Sequence, residues 1–168
     1  RATGHKLAIS YESSNAIQEK IKGGASADLV ILTAETIDDL ARQVKVTAGS
    51  RIDLARSGVG LAVRSGAQKP DIGSVQALKT SLLAAKSIAR SRIGTSGVYF
   101  AGVLERLGSA EEVKSKTVLV TGSVGVVVAK GEVEIGVGQI SELLPVAGIE
   151  IVGPLPGDLQ KITVFSAG

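Results

Sequence analysis

The chain has 168 residues and a formal net charge of +3, and 44% of its residues are hydrophobic. This length is enough for one sizeable core or two small lobes. No apolar run reaches the roughly 18 residues of a membrane helix, so we expect a globular chain without membrane insertion. Cysteine is absent and histidine occurs once, as His5. A zinc enzyme or a Ser–His–Asp hydrolase would have almost no residues to use.

The charge pattern and the aromatic content restrict the class of ligand. Basic residues are scattered among acidic ones, and the chain has two Tyr and two Phe. Nucleic-acid binding needs a concentrated basic face, and single strands need aromatic surfaces for stacking. We therefore expect no nucleic-acid partner, and a small polar ligand held by hydroxyls and backbone amides.

Alternating strands and helices predict an α/β chain. Apolar runs predict strands over residues 6–11, 28–33, 58–63, 87–90, 113–121, 134–139, 149–152 and 162–165. Helical spacing predicts helices over residues 16–24, 35–43, 74–85, 97–107 and 124–131, with a helical turn at 141–144. The run at 28–33 is nearly continuously apolar, which is typical of a parallel strand covered on both faces. This rhythm favours mixed, mostly parallel sheets with helices on both faces.

No segment of the sequence predicts a cofactor site. The G-x-G that begins at Gly58 is followed by Leu-Ala-Val rather than by a helix, so it is not a dinucleotide fingerprint. Residues 65–71 indicate a linker. Asp38 and Asp39 are neighbours on a predicted helix and point to different faces, which indicates a solvated surface.

Three strand–turn–helix units have small polar turns, at residues 12–15, 94–97 and 121–124. Ser13, Ser14 or Asn15 would cap the first helix. Thr95 or Ser96 would cap the second. A helix start offers free N–H groups and a positive dipole end, which suit an anion or a carboxylate. Aimed at one cleft, these helix starts form an anion site; aimed apart, they are only caps.

Five segments in a fixed order carry a resemblance to a known family. They are SYESSNAIQEKIKGGASADLVIL, SGVGLAVRSGAQKPDI, GTSGVYFAGVLERLG, VAKGEVEIGVGQISELLP and IVGPLPGDLQ. Over its whole length the chain resembles bacterial extracellular solute-binding proteins of the molybdate-binding type, which serve ABC importers. The resemblance implies a two-lobed, type 2 periplasmic-binding fold, in which the lobes close on a ligand about a hinge.

The resemblance also implies a division of the chain. Lobe one would hold residues 1–66 and lobe two residues 67–160, and a strand within residues 161–168 would return to lobe one. The family has a further strand and helix before residue 3 and more helix after residue 168, so lobe one is expected to be incomplete. We therefore expect a fragment whose isolated copy exposes apolar surface on lobe one.

The same resemblance implies a set of site residues. In the molybdate binders, neutral hydroxyls and backbone amides at helix starts hold the oxyanion. By position, the ligand-binding residues here are Ser13, Ser14, Thr95, Ser96 and Val124, the last through its backbone N–H. Where that family has a Tyr, this chain has Gln139. Its donor amide points to a larger ligand, or to one that is not an oxyanion.

The implied function is capture of a small anion, molybdate-like or a small carboxylate, for an ABC importer. The chain would act in the periplasm or outside the cell, and its protein partner would be the membrane permease. Two alternatives stay open. An enzyme on the same fold, isomerase-like or lyase-like, would need a general base in the cleft, for which Glu12 and Glu142 are the candidates. A ligand-sensing regulatory domain would need a DNA-binding segment elsewhere.

Overall fold

A computed structural model describes residues 3–168. The strands of this range are β1 (Ile31–Thr33), β2 (Ile52–Arg64), β3 (Ile88–Ser91), β4 (Thr117–Val120), β5 (Ile135–Gln139), β6 (Ile149–Pro154) and β7 (Ile162–Ala167). Its helices are α1 (Ser14–Lys22), α2 (Ala34–Arg42), α3 (Val75–Ala84), α4 (Thr95–Arg106), α5 (Ala110–Lys114), α6 (Val124–Ala129) and α7 (Ile140–Leu143). One 3₁₀ turn spans Gly157–Leu159. Within residues 3–168, every helix is too short or too polar to cross a membrane.

Strand β2 is 13 residues long and takes part in both halves of the sheet. Its first part, residues 52–58, pairs antiparallel with β7, which in turn pairs with β1. Its second part, from Val59 onward, pairs antiparallel with β5 and β6. The strand order is β1-β7-β2-β5-β3-β4, with β6 beside β2. β2 is therefore the continuous connection between the two halves.

The pairing directions correct one prediction. Of the six strand pairings among the described residues, four are antiparallel, and β3 alone pairs in parallel, with β4 and β5. The mixed α/β class is confirmed, whereas the expectation of mostly parallel sheets is wrong. Alternation along the sequence places helices between consecutive strands but does not determine which strands become neighbours. Here β5, β6 and β7 all return to β2 in the opposite direction.

Helices cover both faces of the sheet. Adjacent residues of a strand point to opposite faces, and in β3 such neighbours pack against different helices. Ile88 of β3 belongs to the largest apolar cluster, which also includes Phe100 of α4 and Val113 of α5. Its neighbour Ala89 packs in a second cluster with Val128 of α6. A further cluster joins α1 and α2 to β1 through Ile21, Leu32, Ile37 and Leu40.

Residues 6–11 form no strand, so that prediction is wrong. Leu7, Ile9 and Tyr11 are 78%, 61% and 86% exposed, and no described strand pairs with them. Apolar alternation alone is not sufficient, because a strand also needs partners for its backbone N–H and C=O groups. The strand predicted over residues 28–33 is reduced to β1, an edge strand that pairs antiparallel with β7. It is not a parallel strand covered on both faces.

One face of the β1–β7–β2 half exposes apolar side chains. Ile31 and Ile52 both pair with Ala167 in register, so they lie in one row on the same face. Ile31 is 54% exposed and Ile52 is 64% exposed. Leu54, the next apolar residue along β2, is 53% exposed. Apolar side chains are thus exposed in the part of the chain assigned to lobe one, where the sequence predicts such surface.

The side chain of Gln160 completes the hydrogen bonding where β2 changes partners. Its Oε1 accepts the N–H of Val59 and its Nε2 donates to the Val59 carbonyl, both at 2.9 Å. Val59 is buried, so its N–H depends on this side chain rather than on bulk water. Gln160 therefore acts as a short substitute for a strand at the crossing point.

We expect Gln160→Leu to lower the free energy of unfolding by about 1–3 kcal/mol, because it leaves the buried N–H of Val59 without a partner. Urea denaturation measures the effect. The matched control is Gln76→Leu, since Gln76 is exposed on α3, and its effect should stay within about 0.5 kcal/mol. Equal stability of the Gln160→Leu protein and its parent would contradict this account.

Candidate functional site

The sequence-predicted site residues line one cleft of about 670 Å³. The cleft lies where the chain enters α1, α4, α6 and α7. The predicted residues on its wall are Ser13, Ser14, Thr95, Ser96, Val124 and Gln139, together with the two candidate bases, Glu12 and Glu142. Residues more than 100 positions apart in the chain thus line the same cleft. The starts of α1, α4, α6 and α7 therefore surround one space.

At the start of α1, two serine hydroxyls accept backbone N–H groups. Ser13 is the N-cap, and its Oγ accepts the N–H of Ala16 at 3.3 Å. Ser14 is the first helical residue, and its Oγ accepts the N–H of Thr33 at 3.2 Å. A hydroxyl that accepts in this way still has its own proton to donate. Both serines can therefore donate a hydrogen bond into the cleft.

The start of α4 differs from its prediction. The N-cap is Gly94, whose N–H donates to Ser91 Oγ at 2.8 Å, so neither Thr95 nor Ser96 caps the helix. Both lie inside the first turn instead. Among the described residues, their hydroxyls and their backbone N–H groups have no hydrogen-bond partner. Because Gly94 is the cap, the start of α4 has more free donors than the sequence predicted.

The start of α6 adds further donors to the cleft. Its N-cap is Ser123, which makes no capping hydrogen bond through its side chain. Val124 follows, and its backbone N–H has no partner among the described residues. Thr121 and Ser123 also line the cleft, although sequence reasoning did not select their hydroxyls. The small polar turn at residues 121–124 is the sequence feature that could have identified these two hydroxyls.

Gln139 lies in the cleft wall, but its amide already binds the protein. The side chain is 2% exposed. In the orientation that satisfies both ends of the amide, the oxygen accepts from Thr163 Oγ1 at 2.7 Å. The nitrogen then donates to the hydroxyl of Ser57 at 3.1 Å and to its carbonyl at 3.2 Å. Gln139 thus connects β5 to β2 and β7, and its role towards a ligand stays a prediction.

The two carboxylates of the cleft differ in their surroundings. Glu12 forms a salt bridge with Lys20. Glu142 lies on α7 and forms no salt bridge with any residue in the range 3–168. Partial burial raises the pKa of the Glu142 carboxyl above its ordinary value, while some of the residue stays exposed. Glu142 is therefore a cleft carboxyl that has a raised pKa and no described cation to neutralise it.

One hydrogen bond joins opposite sides of the cleft entrance. Asn15 Nδ2, in the first turn of α1, donates to the carbonyl of Ile93 at 3.0 Å, in the loop before α4. Both groups are exposed, so water competes for this bond. The contact holds the α1 and α4 starts near each other without closing the cleft.

A second cavity, of about 520 Å³, lies over α2 and is less suited to a charged ligand. Its charged groups are already paired: Arg51 donates to Asp53 at 2.9 Å and to Asp38 at 2.6 Å. The hydrogen bond to Asp53, and then that to Asp38, raises the pKa of Arg51, and Arg51 lowers the pKa of Asp53. Among the described residues, no group of His, Asp and Glu side chains could hold a metal ion.

Comparison with protein families gives a match over the whole chain. The model for bacterial extracellular solute-binding proteins matches residues 1–168. A curated relative, the aconitate isomerase of a Pseudomonas species, is 38% identical over 173 aligned positions. That alignment covers 99% of this chain and 66% of the relative. The chain therefore spans just under two thirds of that protein's length.

Solved structures share the fold at lower sequence identity. The periplasmic molybdate-binding protein of Azotobacter vinelandii has a TM-score of 0.73 and 24% identity, with 98% of this chain and 74% of that protein covered. PEB3 with bound L-phospholactate has a TM-score of 0.64 and 14% identity, with 98% and 75% covered. At these identities the likeness shows the periplasmic-binding-protein fold.

The raised pKa of Glu142 gives a pH-dependent prediction. Because the folded protein disfavours the ionised carboxyl, Glu142 lowers stability as the pH rises through its folded pKa. We expect Glu142→Gln to raise the melting temperature relative to the parent at about pH 8, and the gain to vanish near pH 4, where the carboxyl is protonated in both states. Glu105→Gln, on the exposed side of α4, is the control and should show no such trend. A gain that does not change with pH would contradict the assignment.

Proposed function

Because this chain belongs to the bacterial extracellular solute-binding family, we propose that its cleft captures a small carboxylate anion for an ABC importer. In this role the protein works in the periplasm or outside the cell and passes its ligand to a membrane permease. The family supports a binding role in general. The ligand class and the transport partner are the specific parts of the proposal.

The observation that carries this proposal is the set of free donors at the start of α4. The hydroxyls and N–H groups of Thr95 and Ser96 have no partner among the described residues, and they share the cleft with Ser14. Buried or half-buried donors without partners are costly, so a ligand that accepts from them is favoured. The positive ends of α1 and α4 add attraction for negative charge.

Size and similarity favour a carboxylate over a tetrahedral oxyanion. A cleft of about 670 Å³ lies within the range of sites for organic ligands and is far larger than an oxyanion of five atoms requires. The relative at 38% identity is named for aconitate, a tricarboxylate, whereas the molybdate-binding neighbour is 24% identical. With the amide of Gln139 bound to Ser57 and Thr163, the donors that remain are the serine and threonine hydroxyls and the free backbone N–H groups at the starts of α4 and α6.

We expect citrate, tricarballylate or trans-aconitate to raise the melting temperature in a thermal-shift panel that also contains molybdate, tungstate, sulfate and phosphate. A ligand at about 100 times its Kd stabilises the fold by roughly 2.7 kcal/mol. Combining Ser14→Ala with Ser96→Ala should abolish the rise, since it removes one donor from each side. Ser65→Ala, in an exposed turn outside the cleft, should leave it unchanged. A panel in which no anion stabilises the protein would overturn the proposal.

A second candidate is isomerisation of an unsaturated tricarboxylate in the same cleft. The name of the 38% identical relative favours it, as does Glu142, an unpaired cleft carboxyl with a raised pKa. Such a reaction moves a double bond by one position. Glu142 would take a proton from the methylene carbon, the double bond would shift, and the proton would return to the former vinylic carbon. Atoms and electrons balance without a cofactor. Glu12 is the weaker candidate because its carboxylate already forms a salt bridge with Lys20.

We expect an isomerase to convert trans-aconitate to its cis isomer and to incorporate deuterium from D₂O, both measurable by NMR. Glu142→Gln should reduce the rate by about 10²–10⁴-fold, the usual contribution of a general base, while binding persists. Glu105→Gln is the control. If the parent protein binds trans-aconitate without converting it, the isomerase candidate fails and ligand capture stands.

A further inference from the structure

Arg90 is a half-buried cation on β3, directly below the start of α4. Its Nη1 donates to the carbonyl of Gly97 at 3.0 Å and, more weakly, to that of Ser91 at 3.4 Å. Its Nε is buried and has no hydrogen-bond partner among the described residues. The guanidinium is charged at any physiological pH. Its hydrogen bonding is therefore incomplete and is directed to neutral carbonyls.

Within residues 3–168, Arg90 also has no carboxylate partner. Nine salt bridges are formed in this range, and Arg90 takes part in none of them. One of the two cleft carboxylates, Glu12, is paired with Lys20 instead. A partly buried charge without a counter-charge is unfavourable, and folded proteins normally pair such groups. The described residues therefore leave the charge of Arg90 without a counter-charge.

Gly97 brings this charge close to the cleft. A Cβ atom at Gly97 would overlap the carbonyl oxygen of Ser91, so only glycine lets the first turn of α4 lie directly on the end of β3. Gly97 follows Thr95 and Ser96, and at a rise of about 1.5 Å per residue it lies only about 3 Å along the axis from Thr95. Arg90 itself is not part of the cleft lining, whereas its neighbour Ser91 is, so the charge acts on the cleft through the first turn of α4 and not by direct contact.

We infer that Arg90 is the positioning residue and counter-charge of the cleft, and that it makes the site select polycarboxylates over monocarboxylates. The inference rests on the proposed capture of a carboxylate. Arg90 fixes the first turn of α4 through Gly97, and its charge adds to the partial positive charge, about half a unit, at each of the α1 and α4 starts. Glu142 subtracts from this sum when it is ionised. A ligand with two or three carboxylates gains most from such a field.

The test compares probes that differ in charge. Tricarballylate, succinate and butyrate carry three, two and one carboxylates, and isothermal titration at low ionic strength gives their Kd values. We expect Arg90→Gln to weaken binding by roughly 15-fold per ligand charge, as for charges about 10 Å apart near a protein surface, where the effective dielectric constant is about 20. Arg90→Lys keeps the charge and should retain the preference for tricarballylate over succinate. Arg106→Gln, at the exposed end of α4, is the control and should change little.

The outcomes separate the inference from the function on which it rests. An equal loss of affinity for all probes in Arg90→Gln, or no loss, overturns the counter-charge role and leaves anion capture standing. The same holds if the parent binds molybdate but none of the carboxylates. If the parent binds no anion, both fail. Should Arg90→Gln not fold, loss of the charge preference in Arg90→Lys overturns the inference, because that variant still carries the charge. Where butyrate binds too weakly to measure, the other two probes decide.

Discussion

The arrangement of the protein depends on the change of partner along β2. Up to residue 58 this strand bonds to β7, and from Val59 onward it bonds to β5 and β6. Backbone groups at such a point have no regular neighbour, and a buried N–H without a partner is costly. Gln160 supplies the partner of the Val59 N–H, and it adds a second bond to the Val59 carbonyl, which also accepts the N–H of Leu155 at 3.0 Å. The strand can therefore continue through the crossing rather than end there, and it connects the two halves of the sheet without a break.

This continuity has a direct consequence for the cleft. The α1 start belongs to the half built on β1 and β7, while the α4 and α6 starts belong to the half built on β3, β4 and β5. Because β2 fixes these halves to each other, donors from distant parts of the chain lie around one space of about 670 Å³. The polar network of Gln139, Ser57 and Thr163 strengthens the same junction from inside the wall. This network thus helps to hold the strands that carry the cleft wall.

Much of the fold follows from the sequence because apolar runs and capping residues are local signals. The strands β3, β5 and β7 and the helices α2, α3 and α4 are of this kind. The failures in strand existence and in pairing direction are non-local, whereas the failure at the α4 cap is local. Residues 6–11 alternate correctly but have no neighbouring strand, and the pairing directions depend on where later strands return to β2. The cap of α4 is Gly94 rather than Thr95 because Ser91 already binds its N–H. The charge of Arg90 escaped notice because a lone Arg in a strand carries no sequence signal of its own.

Binding and catalysis make different demands on this cleft, and Glu142 is where they diverge. For capture alone, an ionised carboxyl beside helix starts and Arg90 works against the anion, and a neutral side chain would serve better. Partial burial reduces this conflict by raising the pKa of the carboxyl, so that it is protonated more of the time. A proton-transfer reaction uses the same shift, since a general base works best when its pKa lies near the working pH. An ionised Glu142 therefore opposes anion capture, whereas an acid–base role, or a ligand that donates a hydrogen bond to it, makes use of this carboxyl.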